Sequence, residues 1–113
     1  MTLRREERLA GIDQRLADVV RRAARYVEFE LLVVEGLRTL ERQKQLVAKG
    51  DSKHLKGRAV DLAPVLDGEV RWDWPLFPVI HAAMQRAADE LGVAITWGGH
   101  WRTFRDGPHW ELK

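Results

Sequence analysis

Residues 58–72 read RAVDLAPVLDGEVRW, and this run decides the fold. From Arg58 to Leu66 it alternates and is rich in apolar residues, as a half-buried strand requires. Asp67-Gly68 is a strong hairpin turn, so the chain is expected to return along Glu69–Trp72. Pro75 then falls in the first turn of a helix that carries Leu76, Val79, Ile80, Ala83, Met84, Ala87 and Leu91, with Gly92 past its end. Ala94–Trp97 follows as a short strand, and His109–Leu112 can form a last one after a loop rich in glycine and aromatic residues. Upstream, Leu31–Glu35 is a short buried strand closed by Gly36. Apolar residues recur at helical spacing at Leu9, Ile12, Leu16, Val19, Val20, Ala23 and Val27, which predicts one amphipathic helix over residues 3–26. Thr39 is a candidate N-cap for a helix over 40–48 that Gly50 ends. These elements predict a small α+β domain with a short antiparallel sheet flanked by helices.

A chain of 113 residues and 13.0 kDa fits one compact domain. At 45% hydrophobic and 32% charged residues it is too apolar for disorder. It contains no cysteine, which removes disulfides, thiolate zinc fingers, iron–sulfur clusters and a cysteine nucleophile together. Stability must therefore come from the core, from a bound ion, or from both. The 19 Lys and Arg exceed the 17 Asp and Glu by only two, although the pI is about 9.3. That balance suits an anionic polymer, but without a basic stripe or a recognised motif nucleic acid is not expected as a partner. The charged start (Arg4, Arg5, Glu6, Glu7, Arg8) shows no secretory signal, and no apolar run reaches the roughly 20 residues that cross a bilayer. The expected location is the cytoplasm, without stable membrane insertion.

Chemistry concentrates in two places. The first runs from Ser52 through His54, Gly57 and Ala59 to Asp61. An aspartate inside an apolar VDLA strand is costly unless an ion or several donors satisfy it, although pairing with an arginine is an equal alternative. The second is Asp106-Gly107-Pro108-His109-Trp110-Glu111, where the Gly-Pro turn can present Asp106 and His109 to a common point. Taken singly, His109 reads as well as a packed surface residue. Taken together, His54, Asp61 and His109 make the two-histidine, one-carboxylate set of many catalytic zinc sites, with a fourth position left for water. Asp106 could then move a proton from that water to a leaving amine. Glu111 either orients a ligand histidine through its other ring nitrogen or faces solvent.

These residues resemble the signature of the zinc peptidases of the D-Ala-D-Ala carboxypeptidase (VanY-like) superfamily, and within it most nearly the phage endolysins that act as L-alanyl-D-glutamate endopeptidases. The pattern S-x-H-x-x-G-x-A-x-D is matched by Ser52, His54, Gly57, Ala59 and Asp61. The pattern W-G-G-x-W-x-x-F-x-D-x-P-H-[FW]-E is matched by Trp97, Gly98, Gly99, Trp101, Phe104, Asp106, Pro108, His109, Trp110 and Glu111. An upstream G-x-R-[ST]-x-x-R-Q element is matched by Gly36, Arg38, Thr39, Arg42 and Gln43. The resemblance implies a hedgehog/DD-peptidase-like fold, with one Zn2+ per chain held by His54, Asp61 and His109 and with Asp106 as the acid/base. Arg38 would stabilise the oxyanion, a role suited to a fixed guanidinium, or else pair with a neighbouring acid. Ser52 would hydrogen-bond near the site, and Gln43 and Thr39 would hold a helix start. His100 occupies a position that is often acidic in the family, and it reads either as a substrate contact or as a solvated loop residue. His81 is expected to be structural or exposed. Among the five tryptophans, Trp97 and Trp110 are assigned to site walls or core, and Trp72, Trp74 and Trp101 to packing.

The function implied is zinc-dependent cleavage of the L-Ala–D-Glu bond of the peptidoglycan stem peptide during phage lysis. The enzyme would be a monomer in which residues 1–113 form a single catalytic domain, with no separate cell-wall-binding module. It would wait in the host cytoplasm until the membrane is opened. A D,D-carboxypeptidase or dipeptidase acting on D-Ala-D-Ala termini is the alternative within enzymes. A zinc-binding module without catalysis is the alternative outside them.

Overall fold

In the computed structural model, which describes residues 2–36 and 57–113, the run quoted above forms the centre of a six-stranded sheet. The strands are β1 (Leu3–Arg4), β2 (Glu30–Glu35), β3 (Ala59–Leu66), β4 (Glu69–Val70), β5 (Ile95–Trp97) and β6 (His109–Leu112). Their order is β1-β2-β3-β6-β5, with β4 folded back on the end of β3. Asp67 and Gly68 turn that hairpin at φ 52° and 80°, the left-handed region that a tight two-residue turn demands. All pairings are antiparallel except β1 with β2, which makes the sheet mixed. The expected α+β class holds.

Two helices, α1 (Gln14–Ala24) and α2 (Leu76–Leu91), pack on each other, and α2 also lies against β3 and β5. The helix expected over residues 3–26 is corrected. Leu3–Arg4 is a strand, Arg5 and Gly11 take φ of 62° and 85°, and only a 3-10 turn (Glu6–Leu9) precedes α1. Asp13 caps α1 by accepting the Arg15 N–H at 2.9 Å. Leu9 and Ile12 are nonetheless buried in the same core as Leu16 and Val20, so the spacing reports a shared buried side rather than an unbroken helix. The hairpin's return strand is Glu69–Val70, shorter than the expected Glu69–Trp72. The helix expected over 40–48, with Thr39 as its cap, lies outside the described residues.

One face of the sheet is covered by the helices. Leu31, Val33, Val60, Leu62, Trp97, Trp110 and Leu112 enter a core shared with Leu16, Val20, Ile80 and Met84. Each fully buried Leu, Ile or Val stabilises the fold by about 1.5–3 kcal/mol. A one-residue slip of β3 or β6 would exchange these residues for Asp61, His109 and Glu111, so hydrophobic burial fixes the register that builds the site.

Candidate metal centre

Strand alternation delivers the polar groups. In the β3–β6 ladder Asp61 lies opposite His109, and Ala59 lies opposite Glu111. Val60, Leu62, Trp110 and Leu112 point to the helices, which turns Asp61, His109 and Glu111 to the other face. His109 is only 7% exposed. Its Nδ1 is 3.1 Å from Asp61 Oδ1, and its Nε2 is 2.8 Å from Glu111 Oε1. Burial pushes the imidazole toward its neutral form, but the hydrogen bonds and charges of Asp61 and Glu111 outweigh this and raise its pKa above the ordinary histidine value.

Asp106 reaches the same place through a turn braced on all sides. Its N–H donates to the Gly98 carbonyl (3.0 Å), and its own carbonyl accepts the His109 N–H (3.2 Å). The Trp97 indole N–H donates to the Gly107 carbonyl at 2.7 Å, and the Leu62 N–H donates to the Pro108 carbonyl at 2.8 Å. As a result Asp61, Asp106 and His109 each bring a donor atom to within 4.8 Å of the others. These atoms suit a divalent cation. Two ligands at about 2.0–2.1 Å from a tetrahedral zinc lie about 3.3 Å apart, close to the separation of His109 Nδ1 and Asp61 Oδ1. Because Glu111 engages Nε2, Nδ1 is the nitrogen left for a metal.

Gly98 is required by contact rather than by conformation. A Cβ placed there would sit 2.5 Å from the Asp106 carbonyl oxygen, 3.1 Å from Asp106 Cβ and 3.2 Å from His109 Cβ. Gly98→Ala therefore drives Asp106 and His109 apart. Overpacking of this kind costs about 1–3 kcal/mol, and a misplacement near 1 Å costs about 10²-fold in rate. Thermal melts together with hydrolysis of purified cell wall check both figures, and parental activity in the variant refutes the contact argument.

The remaining expected site residues divide into two groups. His54, Arg38, Ser52 and Gln43 lie outside the described residues. Trp97 is buried between β6 and α2, stacked on Trp110 (6.1 Å) and on His81 (4.5 Å). His100 is exposed, and its ring meets His81 at 4.9 Å and Trp97 at 4.8 Å. His81 is half-buried and accepts the Trp110 indole N–H at 3.2 Å. Burial first, and then the neighbouring His100, lower its pKa. Trp101 is half-buried, 5.1 Å from the His109 ring. Trp72 and Trp74 pack as assigned, both on Phe77 and Trp74 also on Trp97, yet they remain 57% and 44% exposed. Glu35, opposite Asp61 in the β2–β3 ladder and half-buried, received no role from the sequence. Its signal was an acid ending an apolar strand, too common a pattern to single it out.

Residues 1–112 match a family profile described as phage L-alanyl-D-glutamate peptidase. The chain is 32% identical over 117 residues to the L-alanyl-D-glutamate peptidase of Escherichia phage T5, covering 96% of this chain and 85% of that protein. It is 27% identical over 118 residues to the peptidoglycan L-alanyl-D-glutamate endopeptidase CwlK of Bacillus subtilis, covering 85% and 68%. The crystal structure of the L-Ala D-Glu endopeptidase ChiX of Serratia marcescens superposes with a TM-score of 0.91 at 41% identity, over 96% of this chain and 85% of that one. With nearly its whole length matched in sequence and in fold, the chain belongs to the phage L-alanyl-D-glutamate peptidase family.

Proposed function

We propose that the protein is a zinc-dependent peptidoglycan endopeptidase that hydrolyses the L-Ala–D-Glu bond of the stem peptide. The observation that carries this reading is the meeting of Asp61, Asp106 and His109 on the sheet face turned away from the helices. His54, Asp61 and His109 would hold one Zn2+, and Glu111, 2.8 Å from Nε2, would orient His109. The ion, when bound, lowers the pKa of a water toward about 7 and polarises the scissile carbonyl. Asp106 takes the proton of the attacking water and delivers it to the departing amine of D-Glu. In this reading Arg38 would stabilise the oxyanion of the tetrahedral intermediate, and Ser52 would supply a supporting hydrogen bond. The protein works as a monomeric catalytic domain. No helix among the described residues is long and apolar enough to cross a membrane. In this reading the site of action is the cell wall, reached from the host cytoplasm once the membrane is permeabilised.

The test is digestion of purified peptidoglycan with and without a chelator, followed by mass spectrometry of the fragments. New L-Ala carboxyl ends and D-Glu amino ends are expected, abolished by chelation and restored by zinc. Release of terminal D-alanine with Ala–Glu bonds intact identifies a D,D-carboxypeptidase instead. Undiminished cleavage after complete metal removal refutes the zinc mechanism.

A further inference from the structure

Two indole rings stand in solvent beside the catalytic turn. At 57% and 44% exposure, Trp72 and Trp74 differ from the buried Trp97 and Trp110. Both rings rest on Phe77 and so form one patch, and exposed rings gathered in one patch are the kind of surface that marks a binding site. These two are firmly backed. Trp72 stacks on Phe77 (6.5 Å, 26°), and Trp74 stacks on Trp97 (6.0 Å, 21°) and tilts against Phe77 (6.5 Å, 48°). On either side of Trp72 in sequence, the Arg71 guanidinium pairs with the Asp73 carboxylate. Trp74 and Phe77 press on Gly107, where an added Cβ would lie 3.1 Å from each ring. The patch therefore begins one residue from Asp106.

Substrate chemistry supplies an occupant. A rigid aromatic face with planar polar groups at its edge fits a pyranose: the sugar's C–H face packs on the indole, and its hydroxyl and acetamido groups bond to carboxylate and guanidinium. In peptidoglycan, L-alanine is joined through a lactyl group to muramic acid. The scissile bond thus lies about two residue lengths from a sugar ring, roughly 7 Å at 3.3–3.6 Å each. We propose that Trp72 and Trp74 form a stacking platform for the glycan strand that carries the scissile peptide. The platform rests on the peptidoglycan reading above, and its test separates the two.

The muramyl disaccharide GlcNAc–MurNAc, without peptide, is titrated into the full chain while tryptophan fluorescence is followed. Saturable binding is expected for the parent, weakened about tenfold in Trp72→Ala, the worth of one stacked ring, and recovered in Trp72→Tyr. In parallel, kcat/KM is measured on a disaccharide-bearing muropeptide and on the sugar-free stem peptide. The ratio of the two falls by a similar factor in Trp72→Ala, through KM. Absence of disaccharide binding by the parent, or a ratio that Trp72→Ala does not move, overturns the platform. A parent that binds the disaccharide yet leaves L-Ala–D-Glu bonds intact supports the platform and overturns the peptidase reading instead.

Discussion

His109→Ala is expected to abolish measurable cell-wall hydrolysis and to remove high-affinity metal binding. The imidazole stands between Asp61 and Glu111, with Nδ1 toward the first and Nε2 toward the second. Its loss deletes a nitrogen donor that no neighbouring carboxylate oxygen replaces in kind, and it leaves Glu111 with no imidazole to hold. Loss of an outer partner alone costs about 10–100-fold in metal affinity, which sets the expectation for Glu111→Gln; His109→Ala must exceed it. Calorimetric titration with zinc measures both variants, and circular dichroism establishes that each is folded. The core supports this expectation, because Trp110 and Leu112, not His109, anchor β6 under the helices. Parental zinc affinity in folded His109→Ala refutes the assignment of this histidine as a ligand.

The two substitutions probe different parts of one ladder, and that ladder explains what could be read from sequence. Strand β6 has period 2, so HWEL places His109 and Glu111 on one face and Trp110 and Leu112 on the other without any long-range information. The α2 helix was legible for a similar reason: Pro75 sits just before it, its apolar stripe is regular, and Gly92 takes φ 69° at its end. The stretch before α1 has the spacing of a helix without being one, because burial can follow helical spacing through a 3-10 turn and a loop. Leu9 and Ile12 are buried there without helical continuity. The parallel β1–β2 pairing leaves no trace in a two-residue strand whose partner lies 28 positions away. Pairing across distance was the hidden quantity in the site as well. Residue types marked Asp61, Asp106 and His109, but which imidazole nitrogen faces which acid, and that Glu35 stands opposite Asp61, follow only from register. The exposure of Trp72 and Trp74 was hidden too, since a tryptophan in sequence signals apolar area without saying whether the fold covers it.

Asp106→Asn separates a proton carrier from a ligand and from a structural acid. Asparagine has the shape of aspartate but cannot take a proton from water at neutral pH. The turn that holds residue 106 is fixed by main-chain bonds, its N–H to Gly98 and its carbonyl from the His109 N–H, and by the Trp97 bond to Gly107. These bonds do not involve the carboxylate, so the variant is expected to fold, which circular dichroism checks. Loss of a general base costs about 10²–10⁴-fold in kcat, with zinc content unchanged at one per chain and the melting temperature of the zinc-loaded protein close to the parent's. If Asp106 were instead a metal ligand, zinc affinity and activity would fall together. If the site served only to staple a chain without cysteines, activity would be absent in the parent as well. Single-turnover cleavage of muropeptides, run beside metal analysis of the same samples, distinguishes the three. Parental kcat in zinc-loaded Asp106→Asn would remove Asp106 from the chemistry and require another base on the same face, where Glu35 lies opposite Asp61.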